Sequence, residues 1–301
     1  MTKGASLFLG GVLLGAVVCG VVVTSLKAQQ SPHIVTQRVY DSTSWELRSQ
    51  HLVFGAPKAI DTRYNFTPPG EKNEVPGISV LVREGFVDGY SDRFKAPLWV
   101  SVHWTRELLE QSEQTQDVKR DFEEDTELPE YARGTNRYNN SMYQRGHMAR
   151  NKDNLAWGED NTLMGDLMSN IVPQRAHLNE HVWARLENEH RKIVASDSIH
   201  EIWVISGSIY DGLKPIETIG NGIGVPQATY KVIGWFSSDG RFEAQGFVFP
   251  QDATDTHPEH YFASIRSIEE RTGLDFFPKL SPEESERIET ATPRVLWEES
   301  P

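Results

Sequence analysis

The sequence predicts an α+β fold with a largely antiparallel central sheet flanked by helices, and three observations carry that reading. Short apolar runs of strand character are mixed with helical stretches, without the regular alternation that builds a parallel sheet. Two long strand-like runs, 228–236 and 241–249, are joined only by the turn residues 237–240, so they pair as a hairpin. Residues 183–194 form an amphipathic helix, with Val182, Leu186, Ile193 and Val194 near helical spacing.

The elements follow in order. Lys3 precedes a charge-free run, 6–26, long enough to cross a hydrocarbon core of ~30 Å as a helix, and Lys27 closes it. Residues 1–30 therefore read as an uncleaved membrane anchor. The rival is a cleaved signal peptide, but the run exceeds the usual signal core and Leu26 fits a cut after Ala28 poorly. Residues 31–50 read as a polar stem and 51–280 as the folded body. Within the body, Phe54, Gly55 and Pro57 open a loop, and 78–83 and 86–87 are short strands broken at Glu84-Gly85 and Asp88-Gly89. Residues 97–104 (PLWVSVHW) alternate, placing Leu98, Val100, Val102 and Trp104 on one face of a half-buried strand. Residues 107–130 are charged without a steady apolar period and read as a loop-rich excursion. After the helix at 183–194 come a buried strand at 202–206, the hairpin, a helix over 260–271 that stops near Gly273, and an acidic tail, 281–301.

Composition narrows the chemistry. The single cysteine, Cys19, lies in the apolar run, so the body has no disulfide and no cysteine metal site. A formal net charge of −13 counts against a nucleic-acid partner, because phosphate binding draws on Lys and Arg. Local distribution reverses that inference. From 131 to 152 the charged residues are Arg133, Arg137, Arg145, Arg150 and Lys152, with no acid among them. An acidic body with one basic strip suits a protein that holds phosphate at a single groove.

The residues that bear chemistry sit in and after that strip. Imidazole is the side chain that exchanges protons near neutrality, and His147 follows Arg145 and Gly146. In an extended segment Arg145 and His147 share a face, and Gly146 lets the backbone approach a ligand. Downstream, Asn179 offers a hard oxygen of the kind magnesium accepts. Asn179, Trp183 and Glu187 stand at i, i+4 and i+8, one side of a helix, with Arg191 a further turn on. Glu187 can then hydrogen-bond metal-bound waters, and Arg191 can reach a phosphate oxygen.

Residues 143–151 (YQRGHMARN) and 167–187 (LMSNIVPQRAHLNEHVWARLE) resemble the DNA/RNA non-specific endonucleases of the ββα-metal, or His-Me finger, type, the group that includes endonuclease G. The similarity extends through Phe54-Gly55, 85–99, 202–207, 225–231 and 272–278, and covers most of 51–280. The resemblance implies a ββα-metal finger fold and a magnesium-dependent hydrolase, with manganese as a substitute. It implies DNA and RNA as substrates, cut without sequence preference to 5′-phosphate and 3′-hydroxyl ends. His147 would be the general base, Asn179 the direct metal ligand, Glu187 a ligand through water, and Arg145 and Arg191 phosphate contacts. Arg120, in KRDFEED, matches a further phosphate-binding arginine of the family. A homodimer is a family property.

Two residues depart from the family pattern. Gln144 stands where DRGH has aspartate, which bears on rate, and Arg150 stands where proline often follows, which adds substrate-binding charge. The expected location is extracytoplasmic, anchored or secreted, with a mitochondrial address as the alternative. Two rival functions remain. His177, Glu180 and His181 satisfy the H-x-x-E-H pattern of inverted zinc peptidases. A membrane-tethered nucleic-acid-binding module that has lost activity would also keep this fold, with Gln144 as its sign.

Overall fold

A computed structural model describes residues 38–40, 50–115, 121–139, 141–158, 163–212 and 217–297. The expected anchor lies outside the described residues, and among them no helix is long and apolar enough to cross a membrane. The strands are β1 (Arg38–Tyr40), β2 (Lys58–Ala59), β3 (Ile78–Val82), β4 (Val87–Ser91), β5 (Ala96–Thr105), β6 (Tyr143–His147), β7 (Ile171–Arg175), β8 (Glu201–Ile209), β9 (Glu217–Ile219), β10 (Ile223–Val225), β11 (Ala228–Phe236), β12 (Phe242–Pro250), β13 (Phe262–Ala263) and β14 (Leu274–Asp275). The helices used below are α1 (Arg106–Gln114), α2 (Asn151–Asn154), α3 (Ala184–Ala195), α4 (Ile265–Thr272) and α5 (Pro282–Thr290).

The central sheet runs β1-β3-β4-β5-β8-β11-β12-β13. Only the β1–β3 pair is parallel. Both faces of this sheet are covered, so its central strands are buried almost throughout. On β11, Tyr230 and Val232 enter one core with Ile78, Trp99 and Phe276, while Ile233 and Trp235 enter the other with Val172, Leu186 and Phe249. Each such side chain contributes roughly 1.5–3 kcal/mol by leaving water. The second face carries the catalytic candidates.

Several local readings change in three dimensions. Residues 97–104 are not half-buried: their side chains enter hydrophobic cores on both faces, and only the strand's end is partly exposed. Val100 and Trp104 face the second core as the alternation requires, but a register shift opposite Gly89 and Tyr90 sends Leu98 with Trp99 into the first. Gly89 does not break β4. A Cβ there would lie 2.1 Å from Trp99 Nε1, so glycine lets that indole cross the strand.

The expected loop at 107–130 begins instead as α1, where Thr105 caps the Leu108 N–H at 3.3 Å and Leu109 and Ser112 are buried. A single short turn of apolar contact is enough once the helix has a sheet to lie on. The segment read as an acidic tail carries α5, capped by Ser281 with Pro282 in its first turn. Ile288 joins the first core, and Arg287 reaches both carboxylate oxygens of buried Glu243 at 3.0 Å. The helix expected over 260–271 starts later, at Ile265, because Phe262 and Ala263 pair with β12 and Ser264 caps the helix; it ends at Gly273 with φ +66°, the left-handed cap expected there.

His51 pins the start of the body to the sheet. Its Nε2 donates to the Glu84 carbonyl at 2.8 Å, and its Nδ1 accepts the His103 N–H at 3.0 Å, a pair of bonds only the neutral ring can make. Burial pulls its pKa from 6.5 down to about 4. The folded ring therefore refuses a proton that the unfolded chain takes up, so its contribution is complete above pH 6.5 and is lost as pH falls toward 4. Urea unfolding should show stability level above that window and falling by roughly 3 kcal/mol across it from His51 alone. His51→Gln should flatten that part of the profile.

Candidate active site

Strands β6 and β7 pair antiparallel, with His147 opposite Ile171. The chain then enters a widened π-helical turn, Leu178–Trp183, and continues as α3. Strand β6, the π turn and α3 thus hold Arg145, His147, Asn179, Glu187 and Arg191, while Arg150 precedes α2. Gly146 leaves room within β6 for the buried Gln174 side chain, whose Oε1 would lie 2.0 Å from a Cβ there.

His147 ends β6 and its exit is clamped. Asn170, fully buried, accepts the Ala149 N–H at 2.8 Å and donates to the Ala149 and Gly165 carbonyls at 2.9 Å. The imidazole Nε2 lies 2.9 Å from Asp166 Oδ1, and Asn151 Nδ2 donates to both oxygens of that carboxylate at 3.0 and 3.1 Å. A carboxylate only accepts, so the ring proton sits on Nε2 and the Nδ1 lone pair is the basic site. Phe122 lies beside the ring at 5.3 Å between centroids and carries the Arg145 guanidinium 4.3 Å above its own face. Arg145 also donates to the Asn136 carbonyl at 3.0 Å.

Asn179 lies on the π turn. Its Nδ2 donates to Gln144 Oε1 at 2.8 Å, and Gln144 in turn donates to Glu180. That bond assigns the amide: nitrogen toward Gln144, with Oδ1 as the atom available to a hard cation. Gln144, Arg145, Asn179 and Phe122 line one groove of about 450 Å³. Eight residues make ~2.2 turns of α-helix, and widening one turn brings the interval nearer two whole turns. The π turn therefore aligns Asn179 with Glu187 better than the i, i+4, i+8 reading on a regular helix.

Glu187 is 8% exposed and flanked by two cations, Arg150 Nε and Lys231 Nζ, each 3.6 Å from one of its oxygens. Lys231 is buried on β11, donates to Ser206 Oγ at 2.9 Å and stands 3.9 Å over the Trp183 ring. Burial pulls its amine down to about 8. Asp153 alongside is pushed up to about 6 by burial, although Arg150 and Arg191 flank it. Arg191 is engaged: it pairs with Asp153 at 2.7 Å and Glu113 at 3.2 Å, tying α3 to α2 and α1. Arg150 likewise reaches Asn188 at 3.2 Å as well as Glu187. Arg120 lies outside the described residues.

The H-x-x-E-H pattern does not assemble. His177 Nδ1 donates to the Ala253 carbonyl at 3.0 Å, Glu180 is bonded to Gln144, and among the described residues neither histidine joins a three-ligand group. The two imidazoles stand 4.4 Å apart between centroids, but no third ligand joins them among the described residues.

The sequence profile of the DNA/RNA non-specific endonucleases matches residues 70–283. The chain belongs to this family. Mitochondrial endonuclease G of Bos taurus is 31% identical over 230 residues, covering 70% of this chain and 74% of that protein. A nuclease of Syncephalastrum racemosum is 29% identical, covering 69% and 70% respectively. The fold is that of a chain in the crystal structure of the EndoG/EndoGI complex, with a TM-score of 0.64 and 25% identity over 84% of this chain and 99% of that one. As a family member the chain is a nuclease whose substrate is nucleic acid, in a family of metal-dependent enzymes.

Two residues of this endonuclease site escaped sequence reasoning. Asp166 is a lone acid in the apolar stretch before β7, and Lys231 a lone cation in an otherwise apolar strand. Both are charges in positions that only a partner makes tolerable, and that is the signal that could have found them.

Proposed function

We propose that this nuclease is a magnesium-dependent, sequence-non-specific endonuclease that hydrolyses DNA and RNA to 5′-phosphate and 3′-hydroxyl ends, with His147 as general base. The observation that carries the proposal is the Asp166–His147 pair, which fixes the ring tautomer with Nδ1 basic, beside a groove holding Arg145 and Asn179. Asn179 Oδ1 would hold the ion directly and Glu187 through water, a hard-oxygen donor set that suits Mg²⁺ and tolerates Mn²⁺. The ion would supply charge stabilisation at the phosphorane and the leaving 3′ oxygen.

The chain's own residues do the rest. His147 takes a proton from water at Nδ1, and Asp166 stabilises the imidazolium that results. Arg145 uses one N–H on Asn136 and retains donors for a phosphate oxygen. Arg150 and Lys231 hold Glu187 in place, while Arg191 braces α3 against α1 and α2; a direct phosphate contact by Arg191 or Arg150 requires it to leave its present partner. Gln144 accepts from Asn179 as an aspartate would, which favours an active enzyme over a binding module. Because phosphate contacts position nucleic acid without reading it, cleavage is nearly sequence-blind. A homodimer and a further phosphate contact from Arg120 remain part of the proposal. The names of relatives described as mitochondrial favour a mitochondrial address over an anchored, extracytoplasmic one.

Supercoiled plasmid and RNA incubated with the protein and Mg²⁺ should both be degraded, EDTA should stop the reaction, and the products should accept 3′ extension but not 5′ phosphorylation. Gel retardation without cutting would establish the binding module instead.

A further inference from the structure

We propose that Asp255, His257 and His260 form a second cation site, distinct from the one at Asn179, that takes a borderline transition-metal dication such as Zn²⁺. The three side chains stand on the loop between β12 and β13, outside the catalytic groove. His257 caps the 3-10 helix Pro258–Tyr261 and His260 lies within it, bonded through its N–H to the His257 carbonyl at 3.1 Å. In a helix of three residues per turn, positions i and i+3 eclipse, so the two imidazoles are presented on one side. The Asp255 carboxylate lies between them. One oxygen is 3.0 Å from His257 Nδ1, the other 2.6 Å from His260 Nδ1, and one donor atom from each residue falls within 4.8 Å of the others.

The loop is built to hold this arrangement. The Asp255 N–H donates to the Tyr261 hydroxyl at 3.0 Å, that hydroxyl donates to the Asp255 carbonyl at 3.1 Å, and the His257 N–H donates to the carboxylate at 2.8 Å. The carboxylate is thereby fixed between the two rings. A tetrahedral zinc ion with ligands ~2.0–2.2 Å away sets them ~3.3 Å apart, against 3.0 and 2.6 Å for the two carboxylate–imidazole contacts here, so each imidazole has to draw back slightly to admit the ion. Neutral rings need lose no proton on binding: each hydrogen moves from Nδ1 to Nε2. Two imidazoles and one carboxylate favour zinc over the all-oxygen shells of Mg²⁺ or Ca²⁺. The side chains are 41%, 55% and 62% exposed, which leaves an entry path and an open fourth position for water. The neighbouring Thr256 lines a groove shared with Arg191 and Lys192, so a bound ion would add positive charge at its rim.

The test is Zn²⁺ titration of the full chain against a chromophoric chelator at pH 7.5, with Co²⁺ absorption as a second readout. Wild-type protein should bind one equivalent that Asp255→Asn and His257→Ala/His260→Ala lose, with no change in thermal midpoint or Mg²⁺-supported cleavage. Retention of that equivalent by His177→Ala/His181→Ala and by Asn179→Ala is also expected. In Co²⁺-loaded wild type, the visible bands of a four-coordinate ion should appear and be absent from the double variant. The proposal is overturned if the Asp255 and His257/His260 variants bind Zn²⁺ and Co²⁺ as wild type does. It is equally overturned if Asn179→Ala or the His177/His181 variant removes the equivalent, which would place the ion elsewhere.

Discussion

Replacing His147 by alanine should lower the cleavage rate of DNA and RNA by about 10²–10⁴-fold, the span general-base catalysis supplies. The fold should survive the change. His147 is only partly buried, the chain just after it is held at Met148 and Ala149 by Asn170, and Asp166 keeps its two bonds from Asn151. Loss of one hydrogen bond costs about 1 kcal/mol, a shift of ~2–4 °C in thermal midpoint for a body of this size. Nucleic-acid binding should be retained, since Arg145 and the basic strip are untouched. A variant that unfolds far earlier and yet cuts at the wild-type rate would return the histidine to a structural role.

Asn179→Ala should be the other severe variant. It removes the one protein oxygen assigned to direct contact with the ion, so cleavage at limiting Mg²⁺ should fall by at least ~10–100-fold, the loss already typical of outer-sphere partners. Saturating Mg²⁺ should restore part of the rate, because Glu187, proposed to bind the ion through water, still stands between Arg150 and Lys231. Isothermal titration separates binding from chemistry: the variant should bind Mg²⁺ more weakly, with its midpoint of unfolding near wild type. Normal cleavage at limiting Mg²⁺ would remove Asn179 from the metal site.

Features set by neighbours in sequence were legible. Strand β11, the hairpin to β12 and the stop of α4 at Gly273 depend on local period and turn chemistry, and they stand where expected. So does the order of Arg145, His147, Asn179 and Glu187 along two strands and a helix. Features set by tertiary partners were not. Helix α1 has too little apolar repeat to announce itself and forms because the sheet offers Leu109 a core. The Leu98 bulge follows from the register of the pairing with β4, which the alternation along β5 alone does not encode. The π turn at 178–183 has no composition of its own, yet it decides how Asn179 and Glu187 line up. Asp166 and Arg191 show the same limit from opposite sides. One is a partner that no motif announced, and the other a motif arginine whose charge is already taken by Asp153 and Glu113.

A crystal structure of the His147→Ala protein with Mn²⁺ and a short uncut DNA duplex bears most directly on whether base and metal serve a single phosphate. One ion should lie ~2.0–2.2 Å from Asn179 Oδ1 with a bridging phosphate oxygen, and the scissile phosphorus should face the space vacated by the imidazole next to Asp166. An ion bound away from Asn179, or a phosphate in a cleft that His147 could not have reached, would contradict it.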